Sequence, residues 1–134
     1  RTPVPAGGSS GLSCVAVISA MDRDVCLGLG VFGTVVEFQR QHGCSGVVVM
    51  GSSGEVSMLN TEERHAIVRE TMKRKQPGME MWYGCTGPTT EATIQYVQQA
   101  AAEGADGAMV AAPAYICAAN EDIVEYFLRS EDVV

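Results

Sequence analysis

The sequence predicts an α/β fold of four consecutive βα units. Two observations carry this reading: short apolar runs recur along the chain, and each is followed by a stretch with a helix-start or helix-stop signal. Strands alternating with helices imply a parallel sheet with right-handed crossovers. Two architectures fit that order, an open doubly wound sheet and part of a (βα)8 barrel. A full barrel needs about 250 residues, so four units in 134 residues make half of one.

The first strand is read over Ser13–Ile18, a buried apolar run between Gly11 and the Asp22-Arg23-Asp24 cluster. A helix over Leu29–Gln41 follows from Val31, Phe32, Val35, Val36 and Phe38, with Gly43 as its stop. Gly46–Met50 is apolar at every position after its glycine, which suits a parallel strand covered on both faces. Asn60 or Thr61 caps the next helix, with Glu62 and Glu63 in the first turn where the helix dipole favours acids; Thr61 and Arg64 do not form a capping box. That helix runs to about Lys75 and ends before Pro77-Gly78. The third strand is Met79–Tyr83, followed by a helix over Glu91–Glu103, capped by Thr89 or Thr90 and stopped by Gly104. The fourth strand is Gly107–Ala112, and a fourth helix runs from Asn120 to about Ser130. Residues 1–11, rich in Pro, Gly and Ser, read as a flexible lead-in, and 12–134 as the folded part. Beginning at Arg1 rather than Met, the chain reads as processed or partial.

Composition narrows the function classes. The formal net charge is −7, and the one basic cluster, Lys73-Arg74-Lys75, reads as a solvated helix end, so no nucleic-acid partner is expected. No apolar run approaches the ~20 residues that span a bilayer. The five cysteines, Cys14, Cys26, Cys44, Cys85 and Cys117, are odd in number and lack C-x-x-C spacing. That disfavours a zinc ribbon, a redox dithiol or a disulfide scaffold and points to a reducing compartment, cytoplasm or mitochondrial matrix. Cys14 and Cys85 lie in or beside apolar runs and read as buried thiols. His42 and His65 read as surface histidines; no metal site and no cofactor is expected.

The motif with chemical content is Gly51-Ser52-Ser53-Gly54-Glu55, directly after the second strand. It matches neither G-x-G-x-x-G nor a P-loop, which disfavours dinucleotides and nucleoside triphosphates. Taken alone it is a tight turn with Gly at positive φ. Read functionally, the Ser52 and Ser53 hydroxyls and free N–H groups at a helix start would hold a small carboxylate or phosphate. Gly84-Cys85-Thr86-Gly87 and Ala112-Pro113-Ala114-Tyr115 follow the third and fourth strands in the same manner.

These pieces, together with Ile18-Ser19-Ala20-Met21, Leu59 with Glu63, and Gly104-Ala105-Asp106, resemble in order and spacing the dihydrodipicolinate synthase and N-acetylneuraminate lyase family of class I pyruvate aldolases. The Ala105–Val110 run and the Gly-Ser-Ser-Gly-Glu turn look like its 4-hydroxy-2-oxoglutarate aldolase branch. The resemblance covers about Gly11 to Phe127 and implies the N-terminal half of a (βα)8 barrel. It implies a small 2-oxo acid substrate whose carboxylate is held by Ser52 and Ser53. It also implies a proton relay through Ser53 and Tyr115, with Tyr115 reaching across a dimer interface. The family's Schiff-base lysine has no counterpart, since Lys73 and Lys75 are the only lysines and fall in a charged helix end. Ala20 and Ala114 depart from the family's proline and tyrosine. The chain alone is therefore expected to be inactive, as part of an aldolase. The alternative is a non-catalytic half barrel kept as a structural or interaction subunit. Either way its open edges predict a homo-oligomer or a complementary protein chain as partner.

Overall fold

The computed structural model describes residues 13–24, 26–113 and 118–131. The elements run β1 (Cys14–Ala16), α1 (Leu29–Gln41), β2 (Gly46–Val49), α2 (Thr61–Met72), β3 (Glu80–Gly84), α3 (Thr90–Ala102), β4 (Gly107–Met109) and α4 (Asn120–Glu131). The four strands are parallel and lie in the order β1-β2-β3-β4. A sheet that adds each strand beside the last is the progression of a barrel wall; a doubly wound sheet reverses direction at a switch point. This decides between the two architectures in favour of half a (βα)8 barrel.

Register separates two faces. Val47 pairs with Met81 and Val49 with Tyr83, and all four are fully buried. Their face meets the helices, because the Tyr83 hydroxyl lies 2.8 Å from Thr71 Oγ1 on α2. Phe32 and Val36 of α1, Ile67 and Val68 of α2, and Val97 and Ala100 of α3 complete this core. Each fully buried aliphatic side chain contributes roughly 1.5–3 kcal/mol of transfer free energy. The other face carries Ala16, Val48, Trp82 and Gly107 at one level of the register, and these are only half-buried or exposed. The sheet is thus covered on one face among the described residues, a correction to the two-sided burial expected of β2. Trp82 lies across Gly107, where an added Cβ would meet the indole at 2.5 Å, and its Nε1–H donates to Glu80 Oε2 (2.8 Å).

β1, β2 and β4 are shorter than their apolar runs, while β3 keeps the expected length one residue further on. β1 is an edge strand, not a buried one: Cys14 and Ala16 are exposed, and Ile18 is 61% exposed. β4 stops at Met109 rather than Ala112. Helix bounds fall close to expectation, and α1 spans the residues read from its periodicity. Val31 and Phe38, counted in that periodicity, are exposed. α2 does open on a capping box, formed by Asn60 and Glu63: Glu63 N–H donates to Asn60 Oδ1 (2.9 Å), and Asn60 N–H donates to Glu63 Oε2 (2.8 Å). The expected lead-in, residues 1–11, lies outside the described residues.

At the N-terminal end of the sheet, Asp106 joins β3 to β4. Its carboxylate accepts from Met81 N–H (2.7 Å) and from Lys75 Nζ (2.7 Å). Partial burial pulls its pKa up, but these two donors outweigh burial and leave it below the usual carboxylate value. A depressed folded-state pKa gives stability that is present above the unfolded value near 3.8 and lost as pH falls through the lower folded value. Asp106→Asn should therefore cost about 1 kcal/mol at neutral pH. In urea melts of both chains the gap should narrow as pH drops below that range; a gap independent of pH would show that the ionised carboxylate contributes nothing.

Candidate functional site

The C-terminal ends of β2, β3 and β4 open on a cleft of about 910 Å3, walled by parts of residues 50–64, 84–88 and 109–113 and by Tyr96 of α3. The β2 wall is set by an unusual backbone step. Met50 takes a left-handed conformation (φ 57°), which turns its carbonyl over Gly84; a Cβ added at Gly84 would fall on that carbonyl. Gly51 is extended (φ −72°, ψ −172°), so the positive φ expected of the motif's glycines belongs instead to Met50 and Glu55. Two 3-10 turns follow, Ser52–Gly54 and Val56–Met58. Their hydrogen bonds consume the N–H groups of Gly54 (to Gly51 O, 2.9 Å), Glu55 (to Ser52 O, 3.1 Å) and Met58 (to Glu55 O, 2.9 Å). The expected supply of free N–H donors is reduced accordingly, and the serine hydroxyls are the groups the turn presents. Both serines are exposed. Ser52 lines the cleft; Ser53 does not. From the β1 side, Ser19 Oγ donates to Gly54 O.

Arg64 is the residue that sequence reasoning missed. It sits at the fourth helical position of α2 yet is only 4% exposed. Its Nη2 donates to Val56 O (2.7 Å), its Nε to Leu59 O (3.3 Å) and its Nη1 to Thr86 O (2.9 Å). The guanidinium lies 4.3 Å from the centre of the Tyr96 ring, and the Tyr96 hydroxyl contacts Thr61 Oγ1 at 3.0 Å. Burial lowers the Arg64 pKa, while Tyr96 and Cys85 oppose that shift; an arginine stays protonated regardless. One signal was readable: Arg64, Ile67, Val68 and Thr71 form the buried stripe of α2, and a cation so near a helix start runs against the dipole.

The β3 and β4 walls are tied together by hydroxyls. Ala111 N–H donates to Thr86 Oγ1 (2.9 Å), and Gly87 N–H donates to Thr93 Oγ1 (2.9 Å). The Tyr126 hydroxyl donates to Ala111 O (3.1 Å), so in its 3.1 Å contact with Thr93 Oγ1 the threonine is the donor. Cys85, at the root of this wall, is 1% exposed. Burial pushes its thiol up to about 12, against a downward pull from the Arg64 charge.

The remaining sequence-derived residues lie apart from the cleft or outside the described residues. Lys75 pairs with Asp106 and Lys73 with Glu70 (2.9 Å), both toward the opposite end of the sheet. His42 is exposed at the end of α1, with its ring centroid 4.0 Å from that of Phe38; His65 is half-buried on α2. Cys14, expected to be buried, is exposed. Tyr115 and Cys117 lie outside the described residues. Among the described residues no three His, Cys, Asp or Glu side chains gather as a metal site.

A one-directional parallel sheet backed by helices, with a hydroxyl-bearing turn at its strand ends, defines the class: half of a (βα)8 barrel with its loop cleft on the C-terminal face. The chain belongs to the dihydrodipicolinate synthetase family, which it matches over residues 9–129. It is 31% identical over 112 residues to a 4-hydroxy-tetrahydrodipicolinate synthase of Prochlorococcus marinus, covering 84% of this chain and 37% of that one. It is 32% identical over 120 residues to the synthase of Gluconacetobacter diazotrophicus, covering 90% and 40%. A prophage protein of the dihydrodipicolinic acid synthase family from E. coli K12, solved in complex with pyruvate, superposes with a TM-score of 0.86 at 27% identity, covering 92% of this chain and 42% of that one. The chain thus spans well under half the length of these relatives.

The position of Cys85 has a direct chemical consequence. Its thiol remains protonated throughout the neutral range and is shielded, whereas Cys14 and Cys26 are exposed. Iodoacetamide at pH 8 should modify Cys14 and Cys26 and spare Cys85 until the chain is unfolded. Peptide mass mapping reads this out, and rapid native labelling of Cys85 would contradict its burial.

Proposed function

We propose that this chain forms the carboxylate-holding side of a Schiff-base aldolase acting on pyruvate or a related 2-oxo acid. The observation that carries the reading is the exposed Ser52-Ser53 turn at the C-terminal strand ends, with Ser52 on the cleft wall. Strand ends on this face are where (βα)8 barrels place their chemistry. In this reading the Ser52 and Ser53 hydroxyls donate to the substrate carboxylate, and Ser53 and Tyr115 pass a proton. The 4-hydroxy-2-oxoglutarate aldolase branch is the preferred assignment within the family, supported by the Ala105–Val110 run. A Schiff base needs an amine whose proton can be lost, through desolvation or a neighbouring cation. Lys73 and Lys75 instead sit in ion pairs with carboxylates, away from the cleft. In this reading neither Lys73 nor Lys75 supplies the amine. The four described cysteines, all free, fit a reducing compartment. The alternative reading, a non-catalytic subunit, draws on the same lack of an amine at the cleft.

Borohydride reduction with pyruvate should leave the chain's mass unchanged. A stable gain equal to pyruvate less water plus two hydrogens would place a reactive lysine here after all. Without a covalent anchor the corner offers a few hydrogen bonds of ~1 kcal/mol each, so pyruvate should bind at millimolar affinity or weaker. In an NMR titration the amides of residues 52–55 should move; shifts confined elsewhere would remove the site.

Among the described residues, the open inner face and the unpaired outer edges of β1 and β4 support a second copy or a complementary chain as partner. Sedimentation of the purified chain at micromolar concentration should show association, and a folded monomer would refute it.

A further inference from the structure

We infer that Arg64 is a positioning residue that clamps the Ser52–Ser53 turn to the β3–α3 turn, and so sets the carboxylate corner proposed above. The inference rests on that reading for its link to ligand, but not for the clamp itself.

The argument begins with what a buried arginine must satisfy. A guanidinium carries five N–H donors in a rigid plane and cannot shed its proton to escape burial. Placed where only 4% of its surface remains exposed, it must be met by acceptors. Arg64 meets them with three main-chain carbonyls, Val56 and Leu59 on the segment after the Ser52–Ser53 turn and Thr86 on the turn after β3. Its positive charge is spread over carbonyl dipoles and the face of Tyr96. The geometry is specific to a fork. Nε and Nη2 reach back to the β2 side while Nη1 reaches across to the β3 side. One ammonium group at the end of a lysine cannot hold three carbonyls on two separate segments in the same way.

The clamp passes to the serines through a short chain of bonds. Val56 begins the second 3-10 turn directly after Glu55, whose left-handed backbone joins the two turns. Glu55 N–H closes on Ser52 O, and Gly54 N–H on Gly51 O. Fixing Val56 and Leu59 therefore fixes the conformation in which Ser52 and Ser53 are presented. On the far side, Thr86 is itself tied to Ala111, so the same residue couples the walls from β2, β3 and β4. A purely structural role makes a different claim. If the aliphatic stem mattered only as core packing beside Ile67 and Val68, methionine would replace it, and relief of the helix-dipole conflict would offset some of the loss.

Amide hydrogen exchange on the chain separates these claims, using Arg64→Lys and Arg64→Met beside the parent. The clamp predicts that Gly54, Glu55 and Met58 exchange about tenfold faster or more in both variants, while the central sheet amides Met81 and Tyr83 change less than twofold. It also predicts that the pyruvate dissociation constant rises about tenfold in Arg64→Lys, with the same residues shifting at saturation. Exchange at Gly54, Glu55 and Met58 that stays at the parent rate in either folded variant overturns the clamp. So does acceleration shared equally by the sheet amides. Should Arg64→Met fail to fold, Arg64→Lys alone decides. The failure of the carboxylate reading looks different: the parent chain then shows no pyruvate shifts at residues 52–55, while the exchange contrast still tests the clamp.

Discussion

The close approach of the Met50 carbonyl to Gly84 is the constraint on which the cleft depends. β2 and β3 run in register to Val49 and Tyr83. One residue later the two chains must part if β2 is to stop and a turn is to begin. Met50 accomplishes this by entering the left-handed region, at a cost of roughly 1–2 kcal/mol for a residue with a Cβ. The space its carbonyl needs exists because residue 84 has no side chain. Had glycine occupied position 50 and a larger residue position 84, the backbone step would be cheap but blocked. Ser52 reaches the cleft wall because the strain is placed at Met50 and the vacancy at Gly84.

Around that step the turn is held by polar side chains bonded to main-chain carbonyls. Ser19 holds Gly54 from one side, and Arg64 holds Val56, Leu59 and Thr86 from the other. The same device recurs deeper in the fold. Thr71 donates back to Ile67 O (2.7 Å) on its own helix and meets the Tyr83 hydroxyl. Thr93 receives Gly87 N–H and donates to Tyr126. Helix hydroxyls thus satisfy both tyrosines and loop amides in a layer that is otherwise apolar. A buried polar group left without such a partner would cost about 1–3 kcal/mol. These bonds specify where loops sit; the hydrophobic face beneath them supplies the net stability.

The helices were legible because their signals are local. Periodicity and a stop residue are contained within a dozen positions, and α1 matches its reading end to end. The strands were legible as positions, but of their lengths only that of β3 was. Apolar residues at Ile18 and at residues 110–112 extend each run, yet a ladder continues only while its neighbour continues, and β2 turns away after Val49. The capping box depends on a one-residue offset: counted from Asn60 the third helical position is Glu63, and counted from Thr61 it is Arg64, which cannot close the box. The serine turn was legible as a motif; its use of Met50 and Glu55 in place of glycine for positive φ was not. Arg64 escaped because a charged side chain near the start of a helix reads as solvated. Its place on the Ile67-Val68-Thr71 stripe hints at burial, but the carbonyls that make burial tolerable, Val56, Leu59 and Thr86, meet it only in three dimensions. Tyr126 escaped for a similar reason, since its partners Thr93 and Ala111 lie 33 and 15 residues away.

The inner face of the sheet is not simply half an apolar core. The sequence pattern places Val48 and Trp82 side by side there, but Glu80 lies on the same face, two residues before Trp82. The indole N–H meets one carboxylate oxygen, and the ring fills the space that Gly107 leaves open. This arrangement already blunts the face, because an aromatic laid flat across a glycine covers backbone that would otherwise be bare. It also sets a condition on whatever covers the face more completely. An ionised carboxylate moved out of water with a single neutral donor is unfavourable, and a covering surface made only of aliphatic side chains would leave Glu80 underpaired. The level of Val48, Trp82 and Gly107 favours apolar contact, while the level of Glu80 favours a donor or a cation. Register across this face therefore carries polarity as well as shape, which distinguishes a matched partner surface from nonspecific apolar association.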